Sequence, residues 1–408
     1  MDIKLAGFNI ETDSMEEFQK VNGKSLTPEI FSSAYARISR SKKSVTELRE
    51  DARKDVEKAR RSNQKIIFDM GHHSVAEHAV FNFDLIGISR LALESIERFR
   101  LVSYTEKSQR YVTLKGDYII PEEFDDTILK KDFIEIIELQ NKTYESLFKL
   151  LREYIFNKFS DLAGEKSNKS LLEGWAKEDA RYILSLATLG QAGMTINARN
   201  LEHLFRNFSL SNINEVNEAG KKLYNLVENV APSIILFPES SEFEKDLRSM
   251  SLPEFKDNSV SKLSPDPEII GHEKDGDEKI LASFLSIFNS VRFSSALDSV
   301  SAMTYEEKER IYLDIFKNME FFDTPPRNFE FADITFQALV SASNFAQLKR
   351  HRMASLLQGD YKVEHGNTIP ENIKNTGMEE KFLDVIKETN SVYLKLNERY
   401  GSSADYIL

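Results

Sequence analysis

The chain has 408 residues, 41% of them hydrophobic and 29% charged, a formal net charge of −12 and no cysteine. That length allows two domains with ordinary cores, and the acidic balance argues against broad nucleic-acid or anionic-membrane binding. Without cysteine there are no disulfides, thiolate metal sites, iron–sulfur clusters or cysteine nucleophiles.

The start, Met1-Asp2-Ile3-Lys4, lacks a signal-peptide pattern, and no apolar run approaches a membrane span. The expectation is a cytoplasmic protein with a small-molecule ligand. Gly71-His72-His73-Ser74-Val75-Ala76-Glu77-His78 invites a zinc reading. A metalloprotease helix needs two histidines four apart, or His-x-x-Glu-His, and His73-x-x-x-Glu77-His78 has the wrong spacing for one face. No metal is expected there; a structural histidine cluster and a ligand-binding one both remain open.

Phe81, Phe83 and Leu85 alternate with Asn82 and Asp84, which predicts a strand, and Ile88, Leu91, Ala92, Ser95 and Ile96 then follow helical spacing. At the end of that helix comes Arg98-Phe99-Arg100-Leu101-Val102-Ser103-Tyr104-Thr105-Glu106-Lys107-Ser108-Gln109-Arg110-Tyr111. Three guanidiniums beside hydroxyls suit a dianion, because planar forks bond oxygens two at a time. The same arginines could instead complement the negative end of the helix dipole. Long helical patterns dominate 125–230. Within them Asn197 precedes an apolar stripe of Leu201, Leu204, Phe205 and Phe208, so it could cap that helix or face a ligand together with Arg199. Few, clustered strands among long helices predict an α+β class, helices on a modest, largely antiparallel sheet.

Residues 238–279 are rich in Ser, Pro, Asp, Glu and Lys and read as a linker between a first domain, 1–237, and a second, 280–408. Four pieces of the first recur in order in the second. Phe31-Ser32-Ser33-Ala34 returns as Phe293-Ser294-Ser295-Ala296, and the arginine motif returns as Arg350-His351-Arg352 with Ser355. Ile120-Pro121-Glu122 returns as Ile369-Pro370-Glu371, and Ala180-Arg181-Tyr182-Ile183-Leu184 as Ala404-Asp405-Tyr406-Ile407-Leu408. This predicts a tandem duplication that fuses a former dimer, with the second copy shortened. No Gly-x-Gly-x-x-Gly or P-loop occurs, so any nucleotide or flavin is held outside those frames.

These pieces resemble the flavin-dependent thymidylate synthase family, whose hallmark is Arg-His-Arg-x-x-Ser continuing to Ser-x-Arg-Tyr. The first half carries it as Arg98-Phe99-Arg100, Ser103 and Ser108-Gln109-Arg110-Tyr111; Ala36-Arg37-Ile38-Ser39, Gly71-His72 through Glu77-His78, Arg181 and Thr195-Ile196-Asn197-Ala198-Arg199-Asn200-Leu201 fall in family order. The resemblance covers about 25–232, and 280–408 resembles a second, shorter domain. It implies the family's α+β fold and reductive methylation of dUMP to dTMP, with methylenetetrahydrofolate and NADPH as cosubstrates and FAD carrying the hydride. It places Glu106, Ser108, Arg110 and Arg181, with Gln347 of the second copy, at the nucleotide. It places His72, Glu77, Arg98, Arg100, Asn197, Arg199 and His203 around FAD.

The departures matter. Phe99 stands in place of the motif His, Thr105 in place of Asn, Ser95 in place of Gln, Phe208 where a pyrimidine-polarising Arg is expected, and Asn212 at a histidine position. The second copy shows the opposite pattern: Gln347, Arg350, His351, Arg352 and Ser355 are intact, whereas Asp360, Lys362 and Asp405 replace the Ser, Arg and Arg of the phosphate site. Since family sites form at subunit interfaces, the resemblance implies a hybrid pocket, with Arg98, Arg100, Arg350, His351 and Arg352 as catalytic candidates and a homodimer of fused chains. The alternatives are a non-catalytic flavin- or nucleotide-binding homologue with a regulatory or structural role, and methylation of a different pyrimidine nucleotide.

Overall fold

The computed structural model describes residues 1–11, 26–112, 116–250 and 266–408. The chain forms two compact units, Met1–Phe255 with Ser341–Leu408, and Lys256–Val340. The first unit holds a four-stranded antiparallel sheet in the order β1-β2-β4-β3, built from β1 (Asp2–Phe8), β2 (Val80–Ser89), β3 (Ser103–Glu106) and β4 (Leu189–Asn197). In β2 the alternation is literal: Phe81, Phe83 and Leu85 are buried and Asn82, Asp84 and Ile86 exposed, as half-buried strands require. Helices α1 (Glu29–Arg37), α2 (Val45–Lys54) and α3 (Val56–Gln64) pack on one another beside this sheet.

Helix α4 (Arg90–Glu97) starts where β2 ends, because the Ser89 hydroxyl accepts from Ala92 N at 3.0 Å and caps it. The junction is pinned from below by the buried Glu215 carboxylate, which accepts from Ser89 N at 2.9 Å and from the Tyr406 hydroxyl at 2.8 Å. α5 (Thr127–Lys158) is followed by α6 (Lys169–Ala180), and β4 by α7 (Ala198–Ser209) and α8 (Asn214–Val227). Asn197 caps α7, its side-chain oxygen accepting from Asn200 N at 3.0 Å. The apolar stripe Leu201, Leu204, Phe205 and Phe208 faces the core of the sheet.

Strand β4 is not evident from sequence. It falls among the long helical patterns that dominate 125–230, and its glycines argue against a strand. Burial decides it: Ala192, Met194 and Ile196 point inward between β2 and β3, and a Cβ at Gly190 would lie 2.8 Å from Leu93 Cδ1. Tertiary packing overrides propensity here.

The linker expected over 238–279 is corrected in part. It contains α9 (Glu242–Ser249) and the strand β5 (Glu268–His272), while 251–265 lie outside the described residues. A capping box explains the helix: Ser241 accepts from Glu244 N, and the Glu244 side chain accepts from Ser241 N. The second unit continues with α10 (Gly276–Asn289), α11 (Phe293–Ser301), α12 (Tyr305–Phe316) and β6 (Ile334–Gln337), which pairs antiparallel with β5. Its small core is Leu281, Ala282, Ala296 and Val300.

The expected second domain, 280–408, is likewise not one body. From Ser341 the chain returns to the first unit as α13 (Ala342–Leu348), capped by Ser341, and α14 (Glu379–Tyr400). α14 packs along α5, where the Gln140 side-chain amide donates to Thr389 Oγ1 at 3.2 Å and to Ile407 O at 2.9 Å. Residues 406–408 dock on the segment just before β4, with Ala187 N donating to Tyr406 O at 2.8 Å and Leu186 N to Leu408 O at 2.7 Å. Contacts that carry the site, described next, are therefore contacts within this unit. The described residues contain no helix long and apolar enough to cross a membrane.

Candidate anion-binding site

A pocket of about 270 Å³ opens between β3 with its following turn, the end of α6, and α13. Glu106, Ser108, Arg110 and Arg181 line it from the first stretch of the chain, Gln347 and Arg350 from the returning one. Arg90, Lys107, Gln109 and Tyr111 complete the lining. Five cationic side chains thus surround one carboxylate, Glu106.

Local structure fixes each group. β3 ends at Glu106, and in the turn that follows Ser108 Oγ accepts from Arg110 N at 3.1 Å, which points the Arg110 guanidinium back across the mouth. There Arg110 Nη2 donates to Gln347 Oε1 at 3.4 Å, and Nη1 stands 3.6 Å from Glu178 on α6. Arg181 follows α6, is buried, and donates from Nη2 to Ser343 O at 3.4 Å, leaving its buried Nε without a partner. Burial lowers the Arg181 guanidinium from its usual range, and the positive neighbours Arg90 and Arg110 push it the same way while Glu178 opposes them. Such a site gains from any anion that reaches it.

Glu106 is buried between two guanidiniums. It pairs with Arg90 at the start of α4 and accepts from Arg350 Nη2 at 3.2 Å. Arg90 is itself buried, and that burial lowers it from the usual guanidinium range. Arg90 has no counterpart among the residues named from sequence; as the first residue of a helix it carries only a boundary signal.

The structure therefore brings together Glu106, Ser108, Arg110, Arg181, Gln347 and Arg350. His351 and Arg352 are exposed beyond that pocket, and Arg352 Nη1 donates to Val102 O at 2.9 Å, a tie between the two stretches of chain. Another group gathers along the outer face of α7. Arg199 pairs with Glu77 at 2.5 Å, Arg98 bonds Asn207 Oδ1, and the His203 ring meets Phe99 edge-on at 5.7 Å. Arg206 Nε lies 3.8 Å from Glu244 on α9 and has no hydrogen bond. His72 and Arg100 are exposed. Asn197 spends its side-chain oxygen on the cap, accepting also from Asn200 Nδ2 at 2.9 Å. Phe208 is core: it is fully buried, its ring centroid is 6.2 Å from that of Phe99, and a Cβ on Gly220 would come 3.1 Å from its own Cβ. Among the described residues no cluster of three or more His, Asp or Glu could hold a metal ion.

Asp405, which the repeat expected from sequence aligns with Arg181, sits in an acidic environment. Tyr393 donates to it at 3.4 Å, and nearby Tyr361 donates to Glu94 at 2.7 Å. Burial pushes Asp405 up to about 7, Asp360 and Glu94 push the same way, and the Tyr393 hydrogen bond opposes them. Its unfolded value is near 4. An acid raised in the folded state costs stability as pH climbs from about 4 through about 7, since the folded form must then give up a proton it holds well. Asp405→Asn is expected to raise the melting temperature at pH 8 and to leave it nearly unchanged at pH 4.5. Equal shifts at both pH values would show that Asp405 ionises freely.

Residues 24–233 and 268–408 match the family described as thymidylate synthase complementing protein. The chain belongs to this family. A flavin-dependent thymidylate synthase from Clostridium tetani is 32% identical over 176 residues, 42% of this chain and 68% of that protein. A UPF0159 protein from Thermoplasma acidophilum is 24% identical over 380 residues, 83% of this chain and 75% of that one. The crystal structure of the Helicobacter pylori flavin-dependent thymidylate synthase, complexed with FAD and dUMP, aligns over 59% of this chain and 100% of that one, with 17% identity and a TM-score of 0.36. Within the family the α+β class expected from sequence holds for this chain: long helices with a small antiparallel sheet.

Proposed function

We propose that the chain is a tandem, partly degenerate flavin-dependent thymidylate synthase that reductively methylates dUMP to dTMP with methylenetetrahydrofolate and NADPH, at a hybrid site drawn from both copies. One observation carries this reading: Ser108, Arg110 and Arg181 of the first copy share a pocket with Gln347 and Arg350 of the second. Each copy alone lacks what the other supplies. Arg110 and Arg181 hold the nucleotide phosphate, Arg181 through a fork that is already buried, and Ser108 adds a hydroxyl. Glu106, paired with Arg90 and Arg350, orients the nucleotide from the pocket floor. The hydrogen-bonded groups are preorganised, so binding requires little rearrangement.

The residues along α7 fit FAD. They present Arg98, Arg199, His203 and Arg206, and the buried Nε of Arg206 lacks a hydrogen-bond partner, which suits a ligand with a diphosphate. His72, Glu77, Arg98, Arg100, Arg199 and His203 would hold the cofactor, with Asn197 setting the helix start. When bound, FAD supplies the hydride. Phe99 gives this face an apolar wall in place of the motif His, and Phe208, where a polarising Arg is expected, is buried in the core.

That wall favours a second reading, in which the protein binds flavin and nucleotide without turnover. One experiment separates the two. Full-length protein with FAD, NADPH, methylenetetrahydrofolate and dUMP is expected to form dTMP, with saturable quenching of flavin fluorescence. Quenching without dTMP would favour the non-catalytic reading; no quenching by folded protein would remove the cofactor. Two fused chains forming a dimer would complete the assembly, and sedimentation would measure it.

A further inference from the structure

Glu97 directly precedes Arg98, and Lys349 directly precedes Arg350, so the two occupy the same position relative to the two arginine motifs. Their side chains meet. Lys349 Nζ is 2.8 Å from Glu97 Oε2, with the lysine side chain 1% and the glutamate 5% exposed. Residues at matching positions of paired copies touch one another only where the twofold relating the copies passes between them. α5 and α14, which also occupy matching positions after the motifs, pack against each other in the same unit.

We propose that Glu97 and Lys349 form a partner-selection pair, which makes each copy fit the other and prevents either from pairing with its own kind. In a symmetric dimer of one copy the axis carries the same residue twice, so Glu97 would bury against Glu97, or Lys349 against Lys349. Burying like charges is strongly unfavourable, and removing one partner of a buried pair leaves an uncompensated charge. Glu97 is the strongest of the opposite charges acting on Lys349. Apart from this ion pair, neither Nζ nor either Glu97 carboxylate oxygen has a hydrogen-bond partner among the described residues. The other charges facing the pair, Arg90 and Glu94, oppose each other. The pair rests on the tandem-copy reading above and assigns the twofold surface a single occupant, the other half. A second chain can use it only by exchanging halves.

The test uses full-length protein. Glu97→Lys and Lys349→Glu each create a like-charge contact and are expected to lower the melting temperature by roughly 10 °C or to prevent accumulation. The double reversal, Glu97→Lys with Lys349→Glu, should restore most of that loss and keep the wild-type elution volume. Co-expressing the two single variants under different affinity tags should give mixed dimers that copurify through exchanged halves. Single variants as stable as wild type, a double reversal no better than the singles, or recovery of stability without mixed dimers would each overturn partner selection. These outcomes are independent of ligand: dUMP titration of the double-reversed protein tests the nucleotide site separately.

Discussion

Arg110→Ala is expected to weaken dUMP binding roughly 10- to 150-fold, the loss of one charge-assisted contact worth about 1.5–3 kcal/mol. Arg110 is the cleaner of the two proposed phosphate arginines to remove, since it is only partly buried and its protein contacts, with Gln347 at 3.4 Å and Glu178 at 3.6 Å, are long. Those contacts position the fork without consuming it. Arg181→Ala should cost at least as much affinity, and it also removes the hydrogen bond to Ser343 O that ties α13 to the end of α6. The two losses should differ in salt dependence. The contact made by Arg110 at the mouth is screened as salt rises, whereas that of buried Arg181 is screened less. Calorimetry at two ionic strengths measures both. Unchanged dUMP affinity in Arg110→Ala would take the phosphate away from this pocket.

Much of this site is legible because its signals are local. The Ser108-x-Arg110 pair lies within one turn, the Asn197 cap lies three residues from the N–H it binds, and β2 announces itself by alternation. What sequence could not show is where distant residues meet. Arg90 and Glu106 are joined across the sheet, and Lys349 finds Glu97 only because α13 returns to the first unit. β4 was hidden for a related reason: Gly190 and Gly193 look like strand breakers, yet both pair with β2, and Leu93 packs against Gly190. The linker was misread because composition hides a capping box. Ser241 and Glu244 start a helix inside a segment whose Ser, Glu and Lys content reads as linker. Phe208 could be read two ways from its stripe, as core or as a lost catalytic position. Packing shows that it is core, and the expected cation is absent from that position in either case.

Arg350→Ala is expected to reduce dTMP formation by roughly 10²- to 10³-fold, in the range of losing one preorganised electrostatic contact in an active site. The arginine lies in the returning stretch of chain, yet its guanidinium reaches Glu106 at 3.2 Å inside the pocket. Without it the buried Glu106 keeps only Arg90, and the floor of the pocket loses both a cation and the orientation of its carboxylate. Lys in place of Arg350 should restore the charge but not the fork, and so recover only part of the rate. Arg352→Ala acts differently, by freeing the Val102 carbonyl that Arg352 holds at 2.9 Å; a smaller loss, with KM rising more than kcat falls, would fit a tie between chain segments. Phe99→His is the comparison that locates the chemistry. Phe99 packs on His203 and Phe208 along α7, away from the phosphate pocket, so restoring the motif His there should leave dTMP formation nearly unchanged if the Arg-His-Arg that works is the one at Arg350. A large gain in Phe99→His together with full activity in Arg350→Ala would assign turnover to the first copy alone and end the hybrid reading, because the pocket contacts from the second copy would then be packing and nothing more.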